Sequence, residues 1–235
     1  MKTFILTIGQ VLFTLFLYAL GVVILGLAIF PGAVLCYFTW QQTAEHVILI
    51  RLLVLCFSLV AGYFLHGVVL TLLVGVFRII FRLNLKEAEY PLASFGTAKW
   101  FVANALQTLV SITFMDFMLL TPLASLLYRL MGAKLGRNVQ INSKFCADLS
   151  LLEIGDGSVI GGHATVIGYV FEINKLVLKK VRIGKHVVGG LNAIILPGAD
   201  IGDGALIAAG AIVPKDTKVA SGEVYFGTSK GVKAL

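Results

Sequence analysis

The chain has 235 residues, of which 58% are hydrophobic, a mean hydropathy of +0.95 and a formal charge of +7. That is too apolar for an ordinary soluble domain of this length. The basic excess suits a membrane surface, and with no aromatic-basic motif beside it nucleic acid is not an expected partner.

Residues Phe4 to Trp40 carry no charge, and His46 to Leu83 carry only Arg51, Arg78 and Arg82 among apolar residues. Each stretch exceeds the ~20 residues needed to cross a bilayer. A signal peptide is a poor account of the first, whose apolar run is too long and lacks an Ala-x-Ala-like cut site. It reads as a retained membrane helix, broken near Pro31. The link Gln41 to Glu45 has no Lys or Arg, whereas Lys2 precedes the first span and Arg78, Arg82 and Lys86 come after the second. The positive-inside rule therefore puts both ends of this hairpin, together with the C-terminal half of the chain, in the cytoplasm. Lys86 to Lys99, with Pro91, Gly96 and mixed charges, reads as a cytosolic loop.

A third apolar segment, Phe101 to Met131, contains Asn104, Gln107, Asp116 and Pro122. Polar groups and Pro at membrane depth need protein cover, so an interfacial or re-entrant element is expected, not a third crossing. Residues 1–131 are thus a membrane domain and residues 132–235 a second domain. Ionisable groups at membrane depth are functional candidates. Arg51 lies near a span end and can snorkel, which leaves His66 and Asp116 either as partners near a lipid-substrate entrance or as structural groups. Cys36 and Cys56 lie in the spans and Cys146 is left over, so neither a disulfide framework nor a metal site is expected.

From Ile154 the chain counts in sixes: Ile154, Ile160 and Val166, a break, then Ile183, Gly189, Ile195, Ile201, Ile207, Val213 and Val219. Four positions after each leader the residue is usually small, as at Ser158, Ala164, Ala193, Ala199, Ala205 and Ala211. Turn residues fall between, as in Ile201-Gly202-Asp203-Gly204. One hexad cannot bury a face alone, so copies must stack as a parallel β-solenoid, three short strands and three turns per triangular coil. It should run from about Leu135 to about Phe226, leaders inward.

The pattern resembles the left-handed β-helix of hexapeptide-repeat acyltransferases. Val213-Pro214-Lys215-Asp216, followed by Gly222-Glu223-Val224-Tyr225-Phe226-Gly227, is similar to their closing coil. Leu120-Thr121-Pro122-Leu123 and Leu130-Met131-Gly132-Ala133-Lys134-Leu135-Gly136-Arg137-Asn138-Val139 resemble the membrane-linked subgroup found in the C-terminal region of poly-lysine synthetases. Glu89-Tyr90-Pro91-Leu92 and Lys99-Trp100-Phe101 resemble that subgroup's linker. The resemblance implies transmembrane helices followed by a left-handed parallel β-helix, a homotrimer with clefts between subunits, and transfer of an acyl group from acyl-coenzyme A or an acyl-pantetheine carrier to an amine or hydroxyl. In the membrane setting the acceptor is lipid-linked or membrane-delivered, and membrane lipid is an expected partner. The competing reading is a non-catalytic trimeric scaffold.

The break in the count, Phe171 to Arg182, ejects a loop from the solenoid, and loops on rigid scaffolds concentrate function. In the resembled family a histidine at the start of such a loop removes the acceptor's proton, a step suited to an imidazole of ordinary pKa ~6.5. Here Tyr169 stands at that place, and a phenol with an ordinary pKa of ~10 is a poor base. A substitute lies six residues earlier. His163 and Asn192 occupy the fourth position of hexads one coil apart, and neighbouring strands lie ~4.8 Å apart, so the two are expected to stack. An imidazole oriented by an amide is a candidate base; the alternative is a plain turn histidine. Glu172 is placed to orient Tyr169 or the acceptor, or is solvated. Lys175, Lys179, Lys180 and Arg182 are candidates for the donor's phosphates, for anionic headgroups or for simple solvation.

Overall fold

In the computed structural model, residues 2–227 are described. Two long helices open the chain, α1 (Lys2–Gln42) and α2 (Ile48–Ile80). Both are long and apolar enough to cross a membrane, and α3 (Phe95–Thr113) is not among the helices that meet that test. The break expected near Pro31 is absent: α1 runs through it. A proline inside an apolar helix frees one carbonyl, and close packing on a neighbour keeps the helix going. That packing is tight here, because a Cβ on Gly32 would stand 2.9 Å from the Gly62 carbonyl oxygen. Small residues let the backbones of α1 and α2 touch, and the Ser58 hydroxyl donates to Thr39 Oγ1 at 2.9 Å beside the crossing.

The segment after α2 departs from the expected loop. Ala88–Pro91 is a strand, β1, followed by α3, whose N-cap Ser94 accepts from the Thr97 amide. The third apolar segment is not one element either. It divides into α3, a single turn α4 (Met115–Met118) and α5 (Pro122–Leu130). Leu120 at φ 62° and Pro122 make the second break, since proline cannot continue a preceding helix but suits the first turn of the next. The α3–α5 segment packs against the solenoid. Tyr128 donates to the Ser143 carbonyl at 2.8 Å, and Trp100 and Gln107 donate to Asp148 and the Cys146 carbonyl. Buried at 0% exposure, the Cys146 thiol is pushed up to about 12.

The solenoid begins with β2 (Lys134–Leu135) and β3 (Gln140–Ile141) and ends with β16 (Val224–Tyr225). Its strands stack in three parallel sheets. The first holds β2, β4 (Leu152–Ile154), β9 (Val181–Ile183), β12 (Asp200–Ile201) and β15 (Lys218–Val219). The second holds β3, β5 (Val159–Ile160), β10 (Val188–Gly189), β13 (Leu206–Ile207) and β16. The third holds β6 (Thr165–Val166), β11 (Ile194–Ile195) and β14 (Ile212–Val213). Leaders and small residues line the interior: Ile195, Ile201, Ala193 and Ala199 are at most 1% exposed. Burying such a column is favourable at roughly 25 cal/mol per Å² of apolar surface.

The outward residues distinguish the three faces. On the first, Lys134, Glu153, Arg182, Asp200 and Lys218 align in register, alternating in sign. On the second the column is Gln140, Val159, Val188, Leu206 and Val224, and on the third Thr165, Ile194 and Ile212. One face suits water; two present aliphatic ladders, with Val188, Leu206, Val224 and Ile212 exposed.

Candidate functional site

His163 lies on the corner that joins the two aliphatic faces, between β5 and β6. The corner is sharp because the fourth position of most hexads takes the left-handed conformation: φ is 57° at His163, 56° at Asn192, 54° at Asn138 and His186, and 59° at Asp216. Elsewhere in the series glycine takes the place, as at Gly204 and Gly210. Asn, Asp and His are the side chains that best tolerate this conformation. Fourth-position histidine therefore has a backbone reason to be there, which the spacing alone does not reveal. His163 and Asn192 are stacked: the Asn192 amide donates to the Gly162 carbonyl at 3.0 Å, and the flanking strands pair Thr165 with Ile194. Both side chains are exposed. His163 packs its ring against Phe145 at 5.9 Å, and no hydrogen bond joins it to Asn192. The imidazole is thus reachable by a substrate, and its orientation comes from an aromatic neighbour instead of the expected amide.

The segment Phe171 to Arg182 is a β-hairpin, not a loop. Strands β7 (Tyr169–Glu172) and β8 (Lys175–Leu178) pair antiparallel, and β1 adds to the outer side of β8. Leu176, Val177 and Leu178 are buried, so the insertion is clamped between the linker and the coil. Tyr169 lies in an aromatic cluster, 4.8 Å from the Trp100 ring and 5.8 Å from Phe171. Glu172 does not reach it. Its carboxylate pairs with Lys215 and with Lys175 at 3.3 Å, which hold it below the usual carboxylate range.

Each of the four cations proposed for phosphate already has a carboxylate partner. Lys175 also binds Glu89 at 2.7 Å, Lys179 binds Asp216 at 2.6 Å, and Lys180 and Arg182 share Glu153 at 3.4 and 3.9 Å. A cleft of about 360 Å³ does run past Lys179, Lys180 and Arg182, but Glu87, Glu89 and Asp216 line it too. The partners Glu89, Glu153 and Asp216 come from other coils and the linker, distances the sequence does not display. In the helical region Asp116 pairs with Lys144 at 2.8 Å, not with His66. Arg51 lies over the Trp40 ring at 3.9 Å. His66 is buried beside an apolar groove of about 690 Å³ between α1 and α2, its Nδ1 without a partner.

Sequence reasoning missed the joint beneath the hairpin. Asp148, 2% exposed and at φ 54°, accepts from Trp100 Nε1 at 2.6 Å, Asn104 Nδ2 at 3.1 Å and the Gly168 amide at 3.0 Å. Burial raises its carboxyl above the usual value, and the three donors oppose that shift. It ties α3 to the residue just before Tyr169 and so sets where the hairpin leaves the coil. The only local sign was a lone Asp in an apolar run after a cysteine.

A triangular parallel solenoid of hexads, with an inserted hairpin and an apolar helical pair ahead of it, defines a hexapeptide-repeat protein. The family described as "Hexapeptide repeat of succinyl-transferase" matches residues 180–215. YvoF of Bacillus subtilis (strain 168), a protein named as an acetyltransferase, is 40% identical over 65 residues, 28% of this chain and 38% of that protein. The delta-poly-L-ornithine synthetase of Acinetobacter baumannii (strain AB307-0294) is 23% identical over 175 residues, 71% of this chain and 13% of the synthetase. Among solved structures, a maltose O-acetyltransferase from Clostridium difficile 630 is 20% identical, covering 58% of this chain and 89% of that one, with a TM-score of 0.39. The chain thus spans well under half the length of both curated relatives. Its repeat domain is similar to the hexapeptide-repeat transferases over residues 180–215, and most of its length resembles one stretch of a poly-amino-acid synthetase.

Proposed function

We propose that this protein is an integral-membrane acyltransferase. It moves an acyl group from coenzyme A or a carrier's pantetheine to an amine or hydroxyl on a lipid-linked or membrane-delivered acceptor. The observation that carries this reading is the match of the repeat domain to an acyltransferase family, together with the likeness to a synthetase over most of the chain. Helices α1 and α2 are read as the membrane anchor. Arg78 in the last turn of α2 and Arg82 and Lys86 after it, against no Lys or Arg in the link before it, favour a cytoplasmic solenoid.

The two aliphatic faces support a homotrimer. Exposed β-surface of this kind is stable when another subunit covers it, and closed cyclic symmetry is the usual solution. The corner with His163 and Asn192 lies between those faces, so a neighbouring subunit would turn an open corner into a cleft. There, the His163 imidazole takes the proton from the acceptor as the acceptor's nitrogen or oxygen attacks the thioester carbonyl. Backbone amides of the corner stabilise the oxyanion, the C–S bond breaks, and the departing thiolate receives the proton from the imidazolium.

A second reading, a trimeric scaffold without catalysis, is favoured by one observation: Tyr169 at the family's histidine position is packed into the Trp100 cluster. The initial rate of thiol release from an acyl thioester, measured for wild type and His163→Gly, separates the two. Glycine suits the left-handed corner, so the fold is kept. A loss of about 10²- to 10⁴-fold is expected for a removed general base. An unchanged rate removes His163 from the mechanism.

A further inference from the structure

We propose that Arg78, Lys86 and Lys99 form a site for a phosphate group at the junction of α2, the linker and the solenoid. Three observations converge on it. First, the three cations are brought together around Ser150. The Ser150 hydroxyl accepts from the Leu85 amide at 3.0 Å, which seats Lys86 there. The Arg78 guanidinium and the Ser150 Cβ both crowd the open side of Gly132. Lys99, in the first turns of α3 and one residue before the buried Trp100, lies close enough to both cations to feel their charge.

Second, none of the three has an anionic partner among the described residues, although seven other Lys and Arg side chains do. The nearby carboxylates turn elsewhere. Glu87 accepts from the Lys180 amide, Glu89 binds Lys175, Glu153 serves Lys134, Lys180 and Arg182, and Asp148 is held by Trp100, Asn104 and Gly168. Third, Arg78 Nε is buried with no acceptor. A buried guanidinium donor facing nothing is costly and calls for a ligand. Burial first, then Lys86 and Arg78, hold the Lys99 ammonium below the ordinary lysine range. The last-turn position of Arg78 favours the C-terminal end of α2, but that explains one cation and not three.

Three like charges without a counterion suit a doubly or singly charged phosphate, which a guanidinium fork and two ammonium points can share. The location, one turn from the end of the apolar helix, admits a lipid headgroup or a soluble phosphate. This site is distinct from the hairpin lysines and stands whether or not the chain transfers acyl groups.

The test is thermal unfolding of the full chain in a neutral detergent, titrated in separate arms with inorganic phosphate and with short-chain phosphatidylglycerol, phosphatidylcholine serving as control. Stabilisation by phosphate identifies a soluble ligand, and stabilisation by phosphatidylglycerol alone a headgroup; either supports the site. Lys86→Gln and Lys99→Gln should each weaken the effect about fivefold. Lys99→Gln should also raise Tm in the anion-free protein, because it relieves repulsion. Lys175→Gln serves as the control outside the site. No stabilisation in either arm overturns the proposal, as does a full response in both variants. A lower anion-free Tm for Lys99→Gln does so as well.

Discussion

Asp148→Ala removes one buried carboxylate and strands three donors at once: Trp100 Nε1, Asn104 Nδ2 and the Gly168 amide. An unpaired buried donor costs ~1–3 kcal/mol. Asn104 is only half-buried and recovers water, and the variant is spared the desolvation of the carboxylate itself. The net loss is then about 2–4 kcal/mol. For a chain of this size 1 kcal/mol corresponds to ~2–4 °C, so Tm should fall by roughly 4–16 °C. Thermal unfolding in detergent reads the total, and Trp100 fluorescence reads the joint. Asp148→Asn keeps an acceptor for some of the donors but turns an amide NH₂ toward the rest, and should lose about half as much. The sign with pH is also set. Burial raises the folded carboxyl above 3.8, so the native state holds the proton more tightly than the unfolded chain. The stabilisation is full below 3.8 and is lost as pH rises through the folded value; the Asp148→Asn variant should lack this slope. A Tm within about 2 °C of wild type for Asp148→Ala would refute the claim that this carboxylate seats the hairpin.

The corner conformation predicts that His163→Gly stays within about 1 kcal/mol of wild type while His163→Val loses ~1–2 kcal/mol, checked by Tm. Equal Tm values would contradict it. Glu153 is held below its ordinary 4.5 by Lys134 and Lys180, so its stabilisation is present above pH 4.5 and lost as pH falls through the folded value. Glu153→Gln should flatten the acid limb of the stability curve. Gly32→Ile should force α1 from α2, since even a Cβ meets Gly62 at 2.9 Å; cysteine cross-linking across the hairpin would report the loss. Leu206→Lys should dissociate the proposed trimer to monomer in detergent, seen as a threefold fall in mass; an unchanged mass would place the interface elsewhere.

What the sequence displayed best was what repeats. Ile195 and Ile201 read as inward because a hexad offers one aliphatic and one small position per strand, and the structure buries both. The apolar lengths of α1 and α2 were equally plain. What local pattern could not carry was pairing at a distance. Phe171 to Arg182 looked like a loop, although its own strands pair as a hairpin; the third strand that clamps it, Ala88–Pro91, lies far back along the chain in the linker. Its lysines looked like a free cationic patch because Glu89, Glu153 and Asp216 come from elsewhere. Pro31 looked like a break because the Gly32–Gly62 contact that supports the helix spans two elements. Asp148 stood out by no periodicity at all.

The most direct measurement of the central claim is transfer itself. The full chain in lipid bilayers would be given acyl-coenzyme A labelled in the acyl group, together with membrane lipids and amine acceptors. Free thiol and acylated product would then be quantified by mass spectrometry. The account predicts one thiol released for each labelled acyl group found on an amine or hydroxyl, and loss of both in His163→Gly. A thioester that stays intact, with no label on any acceptor, would contradict it.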